Sequence, residues 1–221
     1  MSDLAPTSRT AVRRKPERAS YERSTVYEIL DAAFVAHVGV TLNEQPFVMP
    51  MVYGRDEDRL LLHGSVASRL LRALERGLRV CVTVTIVDGL VLAASHRNHS
   101  VNYRSVVILG TARRLRGEEV GTALTRIVEH VVPGRAAEAR PANDAERRDV
   151  LVLGLDIEEA SAKIRSGPPL PSSHDDPADG RWTGELPLGL VPGRPVADAA
   201  SRDRAVPGSL TPWRRARPIV G

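Results

Sequence analysis

Arg59-Leu60-Leu61-Leu62-His63-Gly64-Ser65-Val66-Ala67-Ser68-Arg69 is the stretch on which the fold turns. Leu60 to Leu62 form a brief apolar run bounded by the turn Asp56-Glu57-Asp58, which predicts a short buried strand. His63, Gly64 and Ser65 leave that strand. From Ser68 onward Leu70, Leu71 and Leu74 fall on one helical face. A strand that passes through Gly-Ser into a helix N-terminus directs backbone N–H groups outward, and Arg69 adds a guanidinium able to grip an anion bidentately. The stretch therefore predicts an anion site at a strand-to-helix turn.

Outward from it, Gly77 closes the Ser68 helix as a C′ residue. The β-branched run Arg79 to Val87 ends in Asp88-Gly89, which predicts a tight hairpin with Leu90 to Ala93 returning. Upstream, Thr25 and Glu28 have capping-box spacing, and Val26, Ile29, Leu30 and Ala33 follow at helical intervals. That short helix is expected to cross one end of the fold. Phe34 to Leu42 and Pro46 to Tyr53 read as a hairpin about Asn43-Glu44-Gln45. Pro50 cannot donate to a ladder, so it marks an edge, a bulge or a place where a ligand meets backbone. Downstream lie a long strand over Val101 to Ala112, a helix over Glu118 to Val131 ended by Pro133-Gly134, and strands over Val150 to Leu155 and Ala160 to Ile164. Six or more short strands with two or three short helices predict a mainly β fold, a small barrel.

The expected organisation is a disordered arm over 1–22, the barrel domain over 23–166, a Pro/Gly-rich extension over 167–190, and a loose tail over 191–221. The arm mixes Pro, Ser, Thr and Arg without periodicity. Within the extension, Trp182-Thr183-Gly184-Glu185-Leu186-Pro187-Leu188 is expected to dock on the barrel or on a partner subunit.

Composition narrows the function. The 221 residues carry a formal charge of +4, lysine occurs only at Lys15 and Lys163, and aromatics are 4%. Base-stacking platforms therefore have few candidates, and nucleic acid is not an expected partner. Cys81 is the sole cysteine, which excludes an internal disulfide framework. No apolar run approaches the roughly 20 residues of a membrane span, and the N-terminus lacks the apolar core of a signal peptide. A cytoplasmic location is the expectation.

A second constellation, Ser95-His96-Arg97-Asn98-His99-Ser100-Val101-Asn102-Tyr103-Arg104-Ser105, gathers polar groups ahead of an apolar strand. Alternation sends Asn102 and Arg104 to one face and Tyr103 and Ser105 to the other. Arg104 there calls for an anionic partner, because unpaired burial of its charge is costly. His96 and His99 have a spacing that could suit a metal, but no third ligand is evident. His63 closes an apolar strand, as a structural histidine or a cofactor contact.

His63-Gly64-Ser65-Val66-Ala67-Ser68-Arg69, Cys81-Val82-Thr83-Val84, Asp88-Gly89-Leu90-Val91-Leu92, His99-Ser100-Val101-Asn102-Tyr103-Arg104-Ser105-Val106-Val107 and Ala160-Ser161-Ala162-Lys163-Ile164-Arg165 occur in the order seen in pyridoxamine 5′-phosphate oxidase-like flavoproteins. Over roughly Tyr27 to Leu188 the chain resembles that family, nearest to its nitroimidazole-resistance (Nim-type) branch. The segment before Asn-Tyr-Arg-Ser departs from the family, reading His96-Arg97-Asn98-His99 where an aromatic and paired histidines are frequent.

The resemblance implies a Greek-key split β-barrel that binds FMN at the interface of a homodimer. Ser68 and Arg69 would hold the phosphate, with His63, Gly64 and Ser65 along its path. Met49, Pro50, Met51 and Val52 would run along the isoalloxazine ring. Asn102, Tyr103 and Arg104 would complete the pocket, from the same chain or its partner. His63 and His99 are the side chains nearest in kind to catalytic groups. The implied activity is an FMN-dependent oxidoreductase that takes hydride from NAD(P)H and reduces a small acceptor such as a nitro compound. The alternative is a non-catalytic protein holding flavin, the deazaflavin F420 or haem on the same barrel, with arginines between Arg9 and Arg23 serving an F420 tail.

Overall fold

The computed structural model describes residues 3–176, 178 and 180–211. In chain order the elements are β1 (Ala19–Ser20), α1 (Arg23–Ala32), β2 (Val35–Leu42), β3 (Gln45–Asp56), β4 (Arg59–Ser65), α2 (Arg69–Glu75), β5 (Arg79–Leu92), β6 (Ser100–Thr111), β7 (Arg113–Arg114), α3 (Glu118–Val131), α4 (Arg135–Glu138), α5 (Asp144–Asp149), β8 (Val150–Asp156), β9 (Glu159–Arg165) and β10 (Gly184–Pro187). The mainly β architecture expected from the strand pattern is present. The strands form one antiparallel sheet in the order β1-β9-β6-β5-β2-β3-β4-β8-β7, with β10 added to β5.

Period-two alternation rolls this sheet around a single core. Val38, Val82, Ile108 and Ala160 lie in cross-strand register on the inner face. They pack with Leu60 and Leu62 of β4, Leu151, Leu153 and Leu155 of β8, and Val26, Ile29 and Leu30 of α1. β4 and β8 read as unbroken apolar runs because their outer face is buried too. Leu61 and Val152 point outward into a second cluster with Val120, Ala123 and Ile127 of α3. α3 comes unusually close at Gly54, where a Cβ would lie 2.9 Å from the Ile127 backbone.

Several expectations are corrected. Asp88-Gly89 makes no hairpin: β5 runs straight through it, and the register with β6 shifts between Val87 and Gly89. Long pairing with β6 overrides the local turn preference, and Asp88 becomes the extra residue of a bulge. α1 starts at Arg23 with Glu22 at its N-cap and no side-chain cap, not at Thr25. The N-terminal segment, expected to be disordered, lies against the barrel. Leu4 is buried and bonds Tyr21 O through its N–H at 2.9 Å. The Thr7 hydroxyl donates to Glu159 at 2.5 Å, and β1 pairs with β9. A few anchoring side chains on an open sheet edge suffice to hold a segment whose composition looks unstructured.

In the extension the backbone docks rather than the tryptophan. Gly184 to Pro187 pair with Leu92 to Gly89, whereas Trp182 stays 67% exposed. The tail expected to be loose touches the body at Ser209, whose N–H and hydroxyl bond Glu138 at 3.1 and 2.5 Å. The remainder of that tail, 212–221, lies outside the described residues.

Candidate functional site

The barrel is open between β3 and β4. β2 pairs with β3 all the way from Leu42↔Gln45 to Val35↔Val52, but β4 pairs with β3 only from Tyr53↔Leu62 to Asp56↔Arg59. Beyond that point the strands part, because His63, Gly64 and Ser65 stay in register with β8 and then turn into α2. Residues Pro46 to Val52 are left with a strand neighbour on one side. Val48, Met49, Pro50 and Val52 are exposed there. A sheet edge bearing unpaired backbone groups and apolar side chains is costly unless something covers it. Pro50 fits such an edge, where its missing N–H costs little.

α2 closes the base of this cleft. Its first residue, Arg69, places its guanidinium carbon 5.5 Å from the centroid of the Phe47 ring on β3. The turn before it is braced by Arg72, whose Nε donates to Val66 O at 2.7 Å. The Ser68 hydroxyl accepts from Leu71 N–H at 3.3 Å, and that of Ser65 accepts from Ala67 N–H at 3.1 Å. Both serines thus serve the local fold first. α2 has seven residues, so its dipole adds little to the charge of Arg69 as an anion contact. A Cβ at Gly64 would meet Leu71 Cδ1 at 2.9 Å, so the Leu71 side chain would have to shift.

His63 shares the outward face of β4 with Leu61, toward α3. Its Nδ1 is buried and has no hydrogen-bond partner among the described residues. Burial pushes the imidazole below its ordinary pKa, which favours its neutral form. Val52, His63, Leu124, Val128, Arg140 and Glu146 are among the residues lining a cavity of about 670 Å³ on this side.

The second constellation is not brought to the cleft within one chain. Along the sheet β6 is separated from β4 by β5, β2 and β3. Arg104, expected to face a cofactor, is held by Asp88 in a bidentate pair at 2.9 and 2.8 Å. Asn102 is buried and donates to the Glu185 carboxylate while accepting from Arg165. Arg165 also donates to Gly167 O at 2.9 Å and Pro168 O at 3.1 Å. Burial lowers the Arg165 pKa. Tyr103 is half-buried in register between Val87 and Arg165. His99 sits on the loop before β6, Nδ1 2.9 Å from Ser95 O. Asn102 and Arg165 fasten the extension to the barrel, a role the sequence reading missed because Glu185 carried no local signal.

Among the described residues no group of three or more His, Cys, Asp or Glu side chains could hold a metal ion. Among them, too, no helix is long and apolar enough to cross a membrane.

An antiparallel barrel whose strands part over an exposed apolar edge is a split barrel. The chain belongs to the pyridoxamine 5′-phosphate oxidase family, whose model matches residues 22–164. Among solved structures it is similar to the flavocytochrome Anf3 from Azotobacter vinelandii, at 39% identity over 96% of this chain and 99% of that one, with a TM-score of 0.86. It is also similar to an FAD- and haem-binding protein from Mycobacterium smegmatis, at 31% identity over 90% and 98% of the two chains, TM-score 0.85. A protein assigned to 5-nitroimidazole antibiotic resistance from Bacteroides thetaiotaomicron follows at 25% identity over 66% and 86%, TM-score 0.56. No curated protein matches the sequence.

Proposed function

We propose that this protein is a flavin-dependent oxidoreductase that holds a flavin nucleotide in the cleft between β3 and β4 and binds haem as a second group. The observation that carries the flavin reading is the uncovered β3 edge, with Arg69 at its end. A flat heteroaromatic ring needs an apolar wall and backbone donors and acceptors along one edge, and Met49 to Val52 offer both. A phosphate needs a guanidinium and hydroxyls, and Arg69, Ser65 and Ser68 supply them. The flavin, when bound, supplies hydride transfer, with NAD(P)H as donor and a small acceptor; the chain positions it and excludes water. The family resemblance favours FMN and the mycobacterial relative FAD; the mass of the flavin released on denaturation separates them.

Haem is supported by that same relative, which binds it, and by the unpartnered His63 Nδ1 beside a largely apolar cavity. F420 finds less support. Of the arginines it would draw on, Arg9 pairs with Glu159 and Arg23 bonds Tyr27 and Ile157 O.

A homodimer completes the reading. The outer face of the sheet carries the rows Pro50, His37, Thr83, Val107, Ser161 and Val48, Gly39, Cys81, Leu109, with charge only at the far end of the second row, on Glu159. Solvated sheet faces ordinarily alternate charged residues outward, so a second copy of the chain is the fitting cover.

The test is the absorption spectrum of the purified protein, with and without added FMN or FAD, followed by anaerobic titration with NADH and NADPH. Flavin retention with bleaching by either nicotinamide is expected. Failure to retain or take up any flavin would overturn the reading.

A further inference from the structure

α5 and the start of α3 enclose a concavity of about 440 Å³ beside the Ser65-Val66 turn. That turn is tied to it through Ser65↔Val150 and through Val66 N–H, which donates to Asp149 O at 3.3 Å. The concavity shares no lining residue with the cavity next to His63. Its charged lining sets four arginines, Arg114, Arg116, Arg147 and Arg148, against two carboxylates, Glu118 and Asp144, an excess of two positive charges. Leu115, Val120 and Val150 give it an apolar floor.

Elsewhere Arg55, Arg104, Arg113 and Arg140 each donate to both oxygens of one carboxylate. The arginines of this pocket are left open. Arg114 gives only Nη1 to Glu75, at 2.7 Å, and Arg147 only Nη2 to Asp144. Arg116 and Arg148 are exposed and pair with no carboxylate among the described residues. Arg72 of α2 adds charge on the same side, since it acts with Arg114 and Arg116 on Glu75. Guanidinia gathered without partners repel one another. Gly121 adds a second cost, because glycine is unfavourable inside a helix. A Cβ there would lie 3.4 Å from Arg147 Nη1, so the glycine lets that side chain lie against α3. Local rules broken together, around donors left free, mark a binding site.

A single carboxylate or monophosphate has too few oxygens to engage four guanidinia. A diphosphate has enough for bidentate contacts, and its charge balances the lining. The apolar floor suits the organic part of such a ligand. We propose that this pocket binds the diphosphate of a nucleotide, gripped by Arg114, Arg116, Arg147 and Arg148.

The test is calorimetric titration of the purified full chain with ADP, pyrophosphate, AMP and citrate. ADP and pyrophosphate are expected to bind, AMP and citrate more weakly, with ADP affinity falling as salt rises. The double variant Arg116→Ala, Arg148→Ala should weaken ADP binding by more than about tenfold. Its melting temperature should stay in place, since neither side chain has an ion-pair partner to lose. Arg13→Ala, Arg14→Ala removes the same charge from exposed arginines of the N-terminal segment and should leave ADP affinity unchanged. If neither ADP nor pyrophosphate binds, the site is overturned. Equal weakening by the two double variants reduces it to unspecific attraction and overturns it as well. Citrate binding as tightly as ADP overturns the diphosphate as its ligand. Repeating the ADP titration on protein loaded with FMN or with FAD identifies the source of the diphosphate. ADP binding lost only with FAD makes the flavin's own diphosphate the occupant, and binding kept with both makes it a free nucleotide. The titration needs no electron transfer, so its failure leaves the oxidoreductase reading standing.

Discussion

Asp88 and Arg104 meet across two strands with their side chains 10% and 17% exposed. Removing one partner of such a pair strands a charge, while replacing both is far milder. Arg104→Ala should therefore cost about 3 kcal/mol of stability, visible as an earlier denaturation midpoint, with flavin affinity of the folded fraction unchanged. The double variant Asp88→Asn, Arg104→Met should recover most of that loss. Arg69→Ala acts oppositely. It should leave the midpoint in place and weaken flavin binding by about 1.5–3 kcal/mol, read by flavin fluorescence on titration. Glu146 gives a pH effect. Its hydrogen bonds from Arg140 and then from Asn143 N–H hold it at about 2, below the ordinary 4.5. A depressed carboxyl stabilises the fold above the unfolded value, so this contribution is intact above about pH 4.5 and disappears as pH falls toward 2. Faster amide exchange over α5 in that window is the readout. The sequence announced that Arg104 needed an anion but not which one. Asp88 is brought opposite only by the bulge, a product of the whole β5–β6 pairing. The turn that carries Arg69 was legible because Gly64, Ser65 and Ser68 are contiguous in one local strand-to-helix passage.

At the level of elements, β10 is an added strand whose removal opens the β5 edge and leaves Asn102, which also accepts from Arg165, without its Glu185 acceptor. A chain ending at Leu190 should keep wild-type thermal stability and flavin. One ending at Ser166 should melt earlier, and equal midpoints for the two would show that β10 contributes nothing. Gly54→Ala drives a methyl into the α3 backbone and should cost about 1–3 kcal/mol, loosening the cavity beneath α3. Element type was legible where burial is simple. β4 and β8, buried on both faces, read as apolar runs, and the α3 stripe at helical spacing gave both of its ends. What escaped was where a strand lacks a neighbour: the β3–β4 opening depends on β4 following β8, a non-local choice. β10 escaped for the same reason, since its four residues carry no strand pattern of their own.

For the molecule as a whole, one curved sheet buries its inner face against a single core and leaves its outer face without charge in the middle. Thr83→Glu, at the centre of that face, should convert the proposed dimer to monomers in light scattering and lower flavin retention without unfolding the barrel. A variant that stays dimeric would move the interface elsewhere. The barrel itself could be read from strand count and turn spacing, whereas the N-terminal arm could not, because Leu4 and Thr7 act through partners more than a hundred residues away or across the β1 edge. Cys81, the chain's single thiol, lies half-exposed on the same outer face. A nitroxide attached there marks every copy once, so dipolar spectroscopy on the labelled protein tests the proposed pairing of two barrels through a single interspin separation.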